Sequence, residues 1–194
     1  MKGKAIFLGT GTSQGVPVIG CNCLVCNSPN SKDIRLRSSL LLIIDQISIL
    51  IDIGPDFRFQ MLRLNRSDIN AILFTHQHRD HTAGLDDIRP IFYLNQIPIE
   101  IYAEQNVINA ITSDFAYLFQ GSDYPGKPRF HMNTITNNLF NISGLSITPI
   151  RAMHYKLPIF GYRIAGLAYV TDANHISDSE KNKLLDLDIL IINS

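Results

Sequence analysis

Short apolar runs of strand length alternate with polar turns from the first residues onward. Residues 4–9, KAIFLG, make one such run, closed by glycines. In SLLLIIDQISILIDIG two apolar runs flank the polar pair Asp45-Gln46, the pattern of a β-hairpin. Phe57, Met61 and Leu64 recur at helical spacing in DFRFQMLRLN, whereas residues 71–75, AILFT, read as a buried strand. GLDDIRPIFYLNQ begins helically until Pro90 limits or kinks it. IEIYAE alternates as a strand does, and residues 104–119 return to helical spacing. FQGSDYPGKPRFHMNT is turn-rich and predicts a loop over one face. LSITPIRAMH, FGYRIAG and AYVTDAN predict strands, and DILIIN a final one. Ser177 and Glu180 have capping-box spacing, opening a helix through Leu185. Hairpins first, then strands and helices in mixture, predict two packed sheets with helices outside.

Between the first strand and the hairpin lies a long loop, residues 10–37. A loop of that length inside a compact domain is usually functional or braced. It carries all three cysteines, Cys21, Cys23 and Cys26, within GCNCLVCN. An odd, tightly clustered set is a poor disulfide framework and reads as thiolates sharing one metal ion, with a fourth ligand required from elsewhere. The same loop opens with GTGTSQG, whose backbone N–H groups are candidates for a substrate phosphate. Its glycine spacing, followed by proline, does not fit a dinucleotide fingerprint.

The 194 residues are enough to bury one substantial core, and 17 basic side chains balance 17 acidic ones. No long-range field draws in nucleic acid or an anionic membrane, so neither is expected as a partner. No apolar run approaches the roughly 18 residues of a spanning helix. MKGKAIFLGTGTSQG meets glycines too early for a signal peptide, and the reading is a cytoplasmic protein.

Three of the six histidines fall inside FTHQHRDHTAGLDD. With six His and fourteen Asp scattered at random over 194 positions, H-x-H-x-D-H arises roughly a few times in ten thousand chains. A solvated loop gives no reason for that spacing, and metal binding does. In an extended segment alternate side chains share a face, so His76 and His78 can grip one ion. Asp80 follows in step, and a turn swings His81 beside it to hold a second ion. His154 and Asp172 end later strands. A lone histidine at a strand end is more often a surface residue. Beside a half-built metal site, His154 becomes the third nitrogen on the first ion, and Asp172 a carboxylate between the two. His131 and His175 lie in polar, turn-like surroundings and read as surface residues. Nitrogen and carboxylate donors suit zinc, manganese or iron.

THQHRDHTAGL, LIDIG, MHYKLPIFGYRI and VTDAN together resemble the metallo-β-lactamase superfamily. GTGTSQGVPVIGCNCLVC and GLDDIRP narrow the resemblance to the PhnP-type phosphodiesterases, which hydrolyse cyclic phosphodiesters of ribose phosphate. It implies an α/β (α+β) fold, an αββα sandwich of two mixed sheets with outer helices, spanning residues 1–194. His76, His78 and His154 would bind one divalent metal, zinc or manganese. Asp80 and His81 would bind the second, with Asp172 bridging and Asp52 supporting the histidine loop. Asp80, Asp172 and Asp52 are thus the catalytic carboxylates, and the three cysteines a structural zinc site. The implied reaction is attack on phosphorus by a hydroxide held between ions about 3.5–4 Å apart, on a small or cyclic phosphodiester.

Relatives of this type continue past DILIIN with a further histidine ligand, an acid–base histidine and the fourth ligand of the cysteine site. On that basis the domain is expected to be incomplete at its C-terminus, with the second metal site and the cysteine site empty, partly filled or reorganised. The bare last strand would suit a second copy of the chain in a homodimer. Two other readings stand beside the phosphodiesterase. One is a ribonuclease similar to tRNA 3′-processing members of the superfamily, which lack C-x-C-x2-C and GLDDIRP as marks. The other is a truncated, non-catalytic metal-binding protein.

Overall fold

A computed structural model describes residues 3–120 and 127–192. The first sheet has strand order β1 (Gly3–Gly9), β2 (Ser39–Ile44), β3 (Ile47–Ile51), β4 (Ala71–Leu73), β5 (Ile99–Ala103) and β6 (Phe130–Thr134). Its first three strands are antiparallel, and β3 through β6 run parallel. The second sheet contains β7 (Phe140–Ile142), β8 (Leu145–His154), β9 (Leu157–Ile164), β10 (Leu167–Val170) and β11 (Ile189–Ile192). It is antiparallel except where β10 pairs with β11.

Strand periodicity sorts the apolar side chains into layers. Register aligns Leu41 with Leu50 and Leu50 with Ile72. That row faces a core shared with helices α1 (Phe57–Leu64), α3 (Arg89–Asn95), α4 (Gln105–Asp114) and α5 (Ala116–Phe119). The alternate row, Leu40, Leu42, Ile49, Ile51 and Leu73, faces Ile147, Phe160, Tyr162 and Ile164 of the second sheet. Ile150, Ala152, Ile159 and Val170 face the far side, where Leu184 and Leu187 pack near α6 (Asp178–Lys181). Each fully buried Leu or Ile contributes about 1.5–3 kcal/mol. The architecture is the expected αββα sandwich of two mixed sheets.

Local differences from the sequence reading have identifiable causes. The segment taken as a loop ends in β6, whose alternation is masked by polar His131 and Asn133 on its open face; residues 121–126 lie outside the described residues. Pro90 sits in the first turn of α3, where a missing N–H costs nothing, so it starts a helix after the 3-10 turn Ala83–Ile88. The expected helix over residues 104–119 is two helices, broken at Phe115. The capping box is not made: Ser177 Oγ meets Ser179 Oγ at 3.0 Å. Glu180 instead accepts from Asn137 and from the Arg151 amide, both at 2.7 Å, and α6 gives way to a 3-10 turn, Asn182–Leu184. In GTGTSQG the amides of Gly11 and Gly15, and that of Val16 directly after it, already donate to the carbonyls of Leu36, Thr12 and Arg35. Those three are not free for a phosphate. Among the described residues, no helix is long and apolar enough to cross a membrane.

Two contacts between the sheets fix their spacing where β4 ends. The Phe160 amide donates to the Thr75 carbonyl at 3.0 Å. The buried Tyr162 hydroxyl donates to the Phe74 carbonyl at 2.5 Å. Burial raises the Tyr162 pKa well above its ordinary value, so the hydroxyl remains a donor. Tyr162→Phe leaves that carbonyl unpaired, and we expect a loss of about 1–3 kcal/mol in urea unfolding. An unchanged midpoint would show that the contact adds nothing.

Candidate metal centre

Four strand ends converge at one edge of the sandwich. Asp52 follows β3, Thr75 and His76 follow β4, His154 closes β8, and Asp172 follows β10. His78 and the short helix α2 (Arg79–Thr82), carrying Asp80 and His81, complete the cluster. Both strand-end aspartates are left-handed, with φ of +60° for Asp52 and +58° for Asp172. Aspartate tolerates that region better than most side chains, and here it turns each carboxylate back toward the histidines.

Glycines admit the histidine loop to the sheet. The Ile53 amide donates to the His81 carbonyl and the Gly84 amide to the Ile53 carbonyl, both at 2.8 Å. A Cβ on Gly54 would lie 2.0 Å from the Asp80 carbonyl oxygen, and one on Gly84 would lie 2.3 Å from that of Gly54. LIDIG and HRDHTAG therefore interlock backbone to backbone.

Asp52 is fully buried and organises the site. Its Oδ1 accepts from the Thr75 amide and its Oδ2 from the Thr75 hydroxyl, both at 2.8 Å. Because the hydroxyl donates to Asp52, its oxygen accepts from His76 Nδ1, 2.9 Å away. His81 Nδ1 also donates to Asp52 Oδ2, at 2.7 Å. Both imidazoles thus carry their proton on Nδ1 and turn Nε2 inward.

The inward atoms form two adjacent groups. His76, His78 and His154 bring one donor atom each within 4.8 Å of one another, as do His76, His81 and Asp172. His76 Nε2 lies 3.0 Å from His78 Nδ1. Asp172 Oδ2 lies 2.7 Å from His81 Nε2 and 3.8 Å from Nε2 of His76, the imidazole that both groups share. Asp80 Oδ2 is 3.3 Å from His81 Nε2. All seven residues named for this site meet here. His76 and His81 form the buried floor, while exposed His78 and half-buried His154 open toward solvent. His131 is elsewhere, exposed and paired with Glu100 at 2.6 Å. His175 is exposed and meets the Met153 backbone through its own. Thr75 is a further member of the site that the metal-ligand pattern does not point to. Its signal was its place directly before the first histidine.

The cysteine loop makes a separate group, with all three sulfurs within 4.8 Å of one another. The Cys26 amide points at Cys23 Sγ and the Val18 amide at Cys26 Sγ, both at 3.4 Å. The Cys26 amide and the neighbouring thiols lower the Cys23 thiol to about 7, toward the thiolate that metals bind.

The Beta-lactamase superfamily domain family model matches residues 48–194. The chain belongs to the beta-lactamase superfamily. Among superfamily members it is similar to a new diphosphatase from the PhnP family, with 35% identity and a TM-score of 0.90 over 97% of this chain and 73% of that one. Zinc-bound PqqB from Methylobacterium extorquens shares the fold at 20% identity and a TM-score of 0.76, over 98% of this chain and 72% of that one. In sequence the chain is 42% identical over 192 residues to the octanoyltransferase of Porphyromonas gingivalis, covering 98% of this chain. It spans only 39% of that protein's length.

With metal removed, the titrating groups oppose one another. Burial, with the charges of His81 and His78, pushes His76 down to about 3, so it stays neutral. Burial also disfavours charge on His81, but the Asp52 charge and hydrogen bonds to Asp172, Asp52 and Asp80 raise its pKa well above normal. Burial would raise Asp80, yet its contact with His81 holds it at about 2. Between pH 3 and 6.5 the unfolded chain takes up a proton at His76 that the folded one refuses, so stability rises with pH. Above about 6.5 the folded chain keeps a His81 proton that the unfolded chain has lost, so stability falls. Chelator-treated protein should therefore be most stable near pH 6.5. A urea midpoint that climbs steadily through pH 8 would contradict the assignment. Asp52→Asn keeps the shape but weakens both imidazole supports, and should lower metal affinity about 10–100-fold; unchanged affinity by titration would remove Asp52 from this role.

Proposed function

We propose that this chain is a metal-dependent hydrolase of small or cyclic phosphodiesters. The observation that carries the reading is the pair of adjacent donor groups sharing His76, the second completed by His81 and Asp172. The donor set fits divalent ions, because both buried imidazoles are anchored through Nδ1 and leave Nε2 as the atom that would coordinate. His76, His78 and His154 would hold the first ion, and Asp80, His81 and Asp172 the second. Such ions lower the pKa of water and neutralise charge on phosphoryl oxygens.

The chain's own residues position and shield. Asp52 and Thr75 keep two imidazoles from rotating, so their lone pairs are aimed before substrate arrives. Asp172 reaches His81 and the shared His76, and would hold the second ion beside the first. His81 gives up its Nε2 proton when a cation takes its place, which makes metal binding stronger as pH rises. The exposed His78 side leaves a path for a small diester. The PhnP-family diphosphatase supports phosphorus–oxygen chemistry. The octanoyltransferase of Porphyromonas gingivalis, of which this chain spans less than half, makes acyl chemistry the competing reading. A zero net charge counts against the tRNA-processing reading.

With manganese or zinc loaded, bis(p-nitrophenyl) phosphate should turn over faster than an octanoyl thioester or a β-lactam. His76→Ala should lose both metal and turnover. Faster thioester cleavage with the same metal would overturn the phosphodiester reading. Cleavage of structured tRNA alone would favour the ribonuclease. Full metal content with no turnover on any substrate would favour the non-catalytic protein.

A further inference from the structure

One exposed aromatic side chain stands at the rim of the metal centre. β8 and β9 are joined by a two-residue turn, Tyr155-Lys156, since His154 pairs directly with Leu157. Tyr155 has φ +54°. A left-handed first turn position is one that glycine fills most easily. The comparable hairpin turns place Asp45, Ser143 and Ala165 in that region, all small or acidic. Among the described residues, Tyr155 is the one aromatic with positive φ. A bulky side chain there is a conformational outlier, and it is 79% exposed, so core packing does not explain it.

The turn is nevertheless held in place. The Tyr155 amide donates to Asn174 Oδ1, and the Asn174 amide to the Met153 carbonyl, both at 2.9 Å. Asn174 lies two residues beyond Asp172, so the loop that presents the carboxylate also fixes the turn. The Tyr155 ring centroid is 5.4 Å from that of His154, tilted by 54°. His154 in turn lies 5.2 and 5.7 Å from the rings of His78 and His76. One imidazole therefore separates an open aromatic surface from the donor atoms. Exposed Lys156 places a cation on the same tip.

We propose that Tyr155 is a specificity-determining residue that stacks a planar ring of the substrate, most simply a nucleobase, while the phosphoryl group sits at the metal ions. This rests on the phosphodiester reading and adds the kind of group attached to phosphorus. The Tyr155 ring stands one imidazole away from the donor atoms, and in a nucleoside phosphate base and phosphate are one sugar apart. Base–aromatic stacking is sequence-tolerant and strong enough to shift affinity about 10-fold.

The test compares adenosine 5′-monophosphate with inorganic phosphate on metal-loaded protein by calorimetry, for wild type, Tyr155→Phe and Tyr155→Gly. Glycine suits the left-handed turn, so its thermal midpoint should be equal or higher and its metal content unchanged. Wild type and Tyr155→Phe should bind the nucleotide about 10-fold more tightly than phosphate. Tyr155→Gly should lose that margin while binding phosphate as before. A margin unchanged in Tyr155→Gly, or absent in wild type, overturns the stacking role alone. Failure of metal-loaded wild type to bind either ligand sinks the phosphodiester reading and this inference together.

Discussion

Everything at the metal centre depends on one buried carboxylate. Asp52 has no solvent to satisfy it and accepts instead from the Thr75 amide, the Thr75 hydroxyl and His81. A buried charge left unpaired is costly, so these partners are not free to rearrange. Through the threonine hydroxyl the constraint reaches His76, and directly it reaches His81. One side chain thereby fixes the tautomer of an imidazole in each donor group.

The fold supplies the rigidity behind that arrangement. Asp52 leaves a strand buried on both faces, and its amide is hydrogen-bonded to the Leu73 carbonyl at 2.9 Å. Tyr162 and the Phe160 amide tie the second sheet to Phe74 and Thr75 immediately beside the first histidine. His154 and Asp172 are therefore delivered at a set distance from the histidines on the other sheet. The site is a seam between two sheets, and the packing of the seam sets its geometry.

The sequence revealed the strands and the histidine motif because both rest on local patterns. The apolar runs in residues 39–54 reflect strands buried on both faces, and H-x-H-x-D-H reflects which residues a turn can gather. What it hid is non-local. That Ser177 and Glu180 form no capping box follows from Glu180 finding Asn137 and the Arg151 amide, partners distant in sequence. β6 has the composition of a polar loop because its open face carries His131 and Asn133. Thr75 was invisible as a relay until Asp52 and His76 were seen on either side of its hydroxyl. The placement of Asp52 came through family resemblance, and the structure supplies its physical reason.

The most direct test of Asp52 as organiser is long-range proton–nitrogen NMR on histidine-labelled protein, with and without zinc. Without metal at neutral pH, His76 should be neutral and protonated on Nδ1, and His81 protonated on both nitrogens. Zinc should strip the Nε2 proton from His81 and leave both Nδ1 protons in place. Zinc on Nδ1 of either ring, or a neutral His81 with its proton on Nε2 before zinc is added, would contradict the account.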